Sequence, residues 1–326
     1  MAATDSRKAS RRRATGQPLP HDSARLHVSG TAAYTDDLPE PRGLLHLAVG
    51  MSDRAHARIR TLDLDAVLAA DGVVDVCTAA DIAGENNCGP IVHDEKILND
   101  ELVEYAGQAI FTVAAATVDQ ARKAARLAAI DYEELEPVLD VMTAVAKESF
   151  VLPSETLQRG DTDAALAAAP HRVQRRLDLG GQDQFYLEGQ VAMAVPGEDH
   201  TLTVYSSTQH PDEVQHLVAA ATGRSAKDVV CICRRMGGAF GGKESQAATI
   251  ACMAALMAVK TGRACKLRLD RDDDMILTGK RHDFVIDYDV GFDDDGRILG
   301  TRFMFASRCG VSADLSGPVN DRAIFH

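Results

Sequence analysis

The sequence predicts a mixed α/β (α+β) fold in two parts, on three observations. Short apolar runs of strand length alternate with Ala-rich segments of helical length, and Gly, Pro and Asp-Gly pairs punctuate them. No run approaches the roughly 18 apolar residues of a membrane span. A length of 326 residues sets two domains as the ordinary expectation, and 45% hydrophobic with 25% charged residues is the balance of a soluble globular protein.

Taken in order, residues 1–20 are polar and basic, lack the apolar stretch of a secretory signal and are expected to form a flexible tail. Residues 21–140 read as an α/β unit of their own. "LLHLAVGMS" (44–52) is a buried strand, and 62–82 holds a short helix, a D-G turn and a strand. A further strand leads into a helix begun near Thr117 and Asp119, and another strand covers 129–132. Polar and Pro punctuation marks 141–160 as a linker. Residues 161–326 form the second unit, with strand-like runs on both sides of Gly180-Gly181, a strand ending at Thr208 and a helix from Pro211. A strand "DVVCIC" then feeds the glycine-rich stretch "RRMGGAFGGKES" (234–245), followed by an Ala-rich helix that Gly262 caps. That helix is apolar on nearly all faces and is expected to be buried. A hairpin turning at Asp295-Gly296 follows.

The net charge of -13 argues against nucleic acid as the main partner, which leaves small-molecule chemistry. The seven cysteines are scattered, lie largely in apolar runs and form no C-x-x-C pair, as reduced buried thiols in a cytoplasm would. Cys231 and Cys233, two apart in one strand, would share a face. Asp293 to Asp295 lie in a turn, where adjacent carboxylates are ordinarily solvated.

Strand, glycine loop and helix start together aim backbone N–H groups at an anion. Gly237, Gly242 and Lys243 satisfy the G-x-x-x-x-G-K of a nucleotide loop, but Glu244 stands where Ser or Thr would ligate magnesium. A carboxylate beside a phosphate costs about 3–4 kcal/mol at an effective dielectric near 20. Two readings stay open: glycines that let helix and strand pack closely, and a loop that approaches a different anionic or oxo group.

"SGTAAYTDDLP", "SDRAHARI", "GGQDQFYLEGQ", "STQHP", "GGAFGGKES" and "GPVNDRAIFH" occur in that order. Together they resemble the N-terminal portion of the molybdopterin-binding large subunit of xanthine dehydrogenase, within the molybdenum hydroxylase and aldehyde oxidase family. The resemblance implies a hammerhead-like α/β domain over 21–140 and, over 161–326, the first molybdopterin-binding domain, truncated at its C-terminal side. It implies hydroxylation of hypoxanthine or xanthine to urate at a molybdenum-molybdopterin group. Electrons would leave through 2Fe-2S clusters and FAD on a partner small subunit to NAD, in a cytoplasmic heterodimer that dimerises.

Residue by residue, the resemblance assigns Gln209 to a hydrogen bond with a molybdenum oxygen ligand. It sets the backbone N–H groups of Phe240 and Gly241, with Gly238 beside them, against the cofactor, glycine leaving that approach clear. Gln209, Phe240 and Arg322 are thereby placed at the metal. Glu244 would hydrogen-bond the purine, and Arg322 would stabilise charge developing on it from the opposite side; this acidic and basic pair favours a purine over an aldehyde. The catalytic set implied is Gln209, Glu244 and Arg322. The family's general base and purine-stacking aromatics would lie past His326, so this chain would supply part of a site and not turn over alone. The helix at 247–259 would then lack some of its cover. A relative acting on an aldehyde or another N-heterocycle, and a non-catalytic remnant that binds a partner, are the alternatives.

Overall fold

The computed structural model describes residues 15–325, so most of the basic tail and the terminal His326 lie outside the described residues. The short helix α1 (Ala24–Ser29) ends on Gly30 in the left-handed region. There follow β1 (Leu45–Met51), β2 (Ala57–Asp63), the single turn α2 (Asp65–Leu68), β3 (Val73–Thr78), β4 (Leu102–Val103) and β5 (Ala109–Ala115). Helix α3 (Val118–Ala125) starts where expected, because the Thr117 side chain accepts the Gln120 N–H, and β6 (Ala129–Glu134) follows it. Helices α4 (Val141–Ala146) and α5 (Thr162–Ala168) are capped in the same way by Asp140 and Asp161. α4 lies within the segment read as a linker.

The second half runs β7 (His171–Leu179), β8 (Val191–Pro196), β9 (Leu202–Ser206), α6 (Pro211–Thr222), β10 (Val229–Ile232) and α7 (Gln246–Thr261). It closes with β11 (Cys265–Arg268), α8 (Arg271–Leu277), β12 (Phe284–Phe292), β13 (Ile298–Ser307) and α9 (Ser316–Phe325). No strand follows Gly180-Gly181 directly; that side makes one isolated bridge, from Gln182 to Arg281. Cys231 sits in β10 while Cys233 lies past its end, so the two do not share a strand face.

The main sheet has seven strands in the order β10-β9-β8-β11-β1-β5-β3. Its seam is the parallel pairing of β1 with β11, Leu45 opposite Cys265. Three strands of 21–140 therefore extend a sheet begun by the second half, while β4-β2-β6 is a separate sheet within the first. A parallel partner so distant in sequence leaves no trace in local periodicity. The third sheet, β13-β12-β7, carries the hairpin turn at Gly296 (φ 78°). Asp293 accepts the Asp295 and Arg297 N–H groups there, which gives the acidic run a structural use; no cluster of three metal-ligating side chains occurs among the described residues.

Helix α7 packs on β8, β11 and α6 in the core. Ala247, Ile250, Met253 and Met257 on it are each at most 1% exposed, and the fully buried large side chains contribute about 1.5–3 kcal/mol apiece. The expectation that this helix would lack cover is overturned: small Ala side chains let two layers of the same chain close over it. The cysteines are all free, and burial pushes the Cys77 and Cys252 thiols up to about 12, as inert packing groups. No helix among the described residues is long and apolar enough to cross a membrane.

Candidate cofactor site

Two crossovers of the main sheet meet at one place. The chain leaving β9 runs through Ser207, Thr208 and Gln209 into α6, whose first residue is Pro211. The chain leaving β10 runs through the glycine loop into α7. The two segments are stitched together: the Gln209 N–H donates to Lys243 O at 2.9 Å, and Gln209 Oε1 accepts the N–H groups of Gly241 (3.1 Å) and Lys243 (3.4 Å). With its oxygen held this way, the Gln209 amide has Nε2 left to donate away from the loop.

The glycines divide into two kinds. At Gly237 a Cβ would lie 2.5 Å from Glu188 Cβ, and at Gly242 it would lie 2.6 Å from the Tyr186 ring, so both permit close packing. Gly241 has φ +91° and open space where its Cβ would stand, while Gly238 has φ +104°. The close-packing reading holds at Gly237 and Gly242, while Gly241 has room on its open side. At Gly241 backbone conformation, not side-chain obstruction, requires glycine. Phe240 shares the left-handed region at φ 54° and leaves 77% of its surface exposed, a strained position of the kind that collects at functional sites. The N–H groups of Gly238, Ala239 and Phe240 donate to no described residue, whereas that of Gly241 is already taken by Gln209.

Lys243 does not face outward. Its ammonium is fully buried, 2.7 Å from Ser207 Oγ, 3.2 Å from Glu188 Oε2 and 4.8 Å above the Tyr186 ring. Burial pulls its pKa down and Glu188 opposes that. Tyr186 donates to Asp274 Oδ1 at 2.6 Å, and burial together with that carboxylate pushes its phenol up. Gln190 donates to both Tyr186 Oη and Gly242 O. Neither Glu188 nor Tyr186 was singled out by sequence reasoning as a site residue. Their signal was the run "QFYLEGQ", legible as a motif but silent about what its carboxylate meets.

Glu244 is half-buried at the loop's end, its N–H on Gly241 O at 3.2 Å, and its carboxylate makes no hydrogen bond or ion pair among the described residues. Arg322 lies elsewhere: it is exposed near the end of α9 and donates to Pro318 O in its own helix. The structure thus joins Gln209, Gly241 and the Phe240 loop, and no hydrogen bond or ion pair among the described residues links them to Arg322. What ties α9 to the loop is the preceding segment. Asp314 accepts from Gln246 at the start of α7, Ala313 N–H donates to Asp94, and Ser312 donates to Glu95.

The profile described as "Molybdopterin cofactor-binding domain" matches residues 145–326, more than half of the chain. The chain belongs to that family. A second profile, "Aldehyde oxidase and xanthine dehydrogenase, a/b hammerhead domain", matches residues 29–136. Among related sequences, the xanthine dehydrogenase of Calliphora vicina is 38% identical over 95% of this chain, and that of Oryza sativa subsp. japonica 39% over 96%. The chain spans 23% of the length of each. Among solved structures, the aldehyde oxidoreductase of Desulfovibrio gigas superposes with a TM-score of 0.85 at 26% identity, covering 93% of this chain and 35% of that one. The residues of this molybdopterin cofactor-binding chain suit such a group: the 238–240 N–H groups have no acceptor among the described residues, Gly241 leaves open space beside it, and the loop's lysine is engaged by Glu188.

Proposed function

We propose that this chain forms one wall of the cofactor and substrate site of a xanthine dehydrogenase, oxidising hypoxanthine or xanthine to urate. The observation that carries the proposal is the locked Gln209 amide beside the free N–H groups of the Phe240 loop. Family membership and the xanthine dehydrogenase relatives support it. Molybdenum-molybdopterin, when bound, supplies the redox centre that hydroxylates a purine carbon with oxygen from water. Gln209 Nε2 and the Phe240 N–H would hold its oxygen ligands, with Gly238 and Gly241 shaping the loop around it.

Glu244, uncompensated by any described neighbour, would hydrogen-bond the purine's polar edge and fix its orientation. Arg322 would approach from α9 and stabilise negative charge developing on the ring, which lowers the barrier more than it strengthens ground-state binding. In the whole protein, 2Fe-2S clusters and FAD on a small partner subunit would pass electrons to NAD, and the heterodimer would pair in the cytoplasm.

The test uses the full-length complex. Molybdenum should be present at about one per chain, and Glu244→Ala should raise the xanthine KM and lower kcat/KM. Arg322→Met should act mainly on kcat. An active preparation without molybdenum, or unchanged xanthine kinetics in both variants, would overturn the proposal. Preference for an aldehyde over xanthine in the unaltered enzyme would redirect it to the aldehyde-oxidising branch.

A further inference from the structure

Glu188 is 11% exposed at its side chain, yet one of its oxygens, Oε2, receives three donors: Gly237 N–H at 2.8 Å, Ser207 Oγ at 2.6 Å and Lys243 Nζ at 3.2 Å. Those donors are the first and last anchor points of the glycine loop and the start of the Gln209 segment. Lys243 closes the arrangement by donating to Ser207 as well, at 2.7 Å. No other described side chain accepts hydrogen bonds from both ends of the loop and from the Gln209 segment. Glu188 itself comes from a third, the 182–190 segment, where Tyr186 and Gln190 are fixed by Asp274 in the first turn of α8.

We propose that Glu188 is a positioning residue: through Lys243 and Ser207 it sets the distance between the Gln209 amide and the Phe240 backbone, the two groups that face the cofactor. The inference rests on the functional reading above. The buried ion pair can bind the loop this tightly because Gly237 and Gly242 carry no side chain and so let Glu188 and Tyr186 come this close. A lysine drawn inward also holds the loop's backbone, whose intervening N–H groups at 238–240 have no acceptor among the described residues.

The experiment compares full-length enzyme with Glu188→Gln and Ser207→Ala. The first keeps shape and removes the charge. The second keeps both charges and removes the link to the Gln209 segment. In Glu188→Gln, amide exchange at 237–243 and 207–209 should accelerate together by at least about tenfold, while α7 stays protected. Turnover per bound molybdenum should fall by a similar factor with the xanthine KM within about twofold, and the Mo(V) paramagnetic resonance signal should change shape. Ser207→Ala should accelerate exchange at 207–209 without exposing 237–243 to the same degree. Folded Glu188→Gln protein with a lower melting temperature but unaltered exchange at both segments, unaltered resonance signal and unaltered turnover per molybdenum would overturn the proposal. Should Glu188→Gln not fold, Ser207→Ala decides: unchanged exchange and unchanged turnover overturn it. If the unaltered enzyme lacked molybdenum, the functional reading would fall, and the exchange comparison would still decide whether Glu188 sets the loop.

Discussion

Glu95→Gln should make the protein more resistant to urea at neutral pH and leave it little changed at acidic pH. Burial raises the Glu95 pKa from 4.5 to about 7, and the nearby Asp314 carboxylate adds to it, against a hydrogen bond from Ser312. Asp314 is raised too, chiefly by burial. A carboxyl whose folded pKa lies above its unfolded value contributes stability that is fully present below the unfolded pKa. That contribution is lost as pH rises through the folded one. For Glu95 the loss begins near pH 4.5 and is complete just above pH 7. With these two values the loss is about 1 kcal/mol at pH 5 and about 3 kcal/mol at pH 7, flattening beyond. Gln at 95 keeps an acceptor for Ser312 and does not titrate. The difference between variant and unaltered chain therefore isolates Glu95 from His282, whose depressed pKa works in the opposite sense below its usual value of 6.5. Far-UV ellipticity is the signal to follow through urea titrations, since the chain has no tryptophan. A variant-minus-unaltered difference that stays constant from pH 5 to 7.5 would refute the reasoning.

The glycine division predicts separable losses. Gly242→Ala should destabilise by about 1–3 kcal/mol in urea, because a Cβ there lies 2.6 Å from the Tyr186 ring and 3.1 Å from the Gln184 side chain, and Asp274 holds that ring in place. Gly241→Ala meets no atom and should cost only the about 1–2 kcal/mol of its left-handed backbone, but should lower the molybdenum content of the folded full-length protein. At the sheet seam, Leu45→Ala should cost about 3–5 kcal/mol in the same titrations, Leu45 being 0% exposed beside β11. A cost under 1 kcal/mol there would mean the two halves do not share a core.

The elements that sequence revealed are those fixed by neighbours in the chain. Thr117 caps α3 by accepting the Gln120 N–H, Gly262 ends α7 in the left-handed region and Gly296 turns the hairpin, each a conformation set within a few residues. Helix α8 escaped, although Asp270 accepts the Asp273 N–H and three acids fill its first turn, a start signal that was available. The β1 to β11 seam had no such signal. The site divides along the same line. Gln209 and the loop were identifiable as motifs, whereas the direction of Lys243 depends on Glu188, Ser207 and Tyr186 meeting in space.

That direction bears on what the loop can bind. A nucleotide loop works by presenting its lysine to phosphate. Here the ammonium is buried against Glu188, so the cation is neutralised inside, and the loop's polar groups without a described partner include the 238–240 N–H groups and the Glu244 carboxylate. A polyphosphate would meet a carboxylate without a compensating cation, and retrieving Lys243 would leave Glu188 Oε2 buried without its charged donor. A neutral or weakly charged ligand that accepts backbone hydrogen bonds, next to a heterocycle able to donate to Glu244, suffers neither cost. The same inward turn of one lysine therefore disfavours nucleotide chemistry and shapes the surface on which we propose that an oxo group and a purine bind.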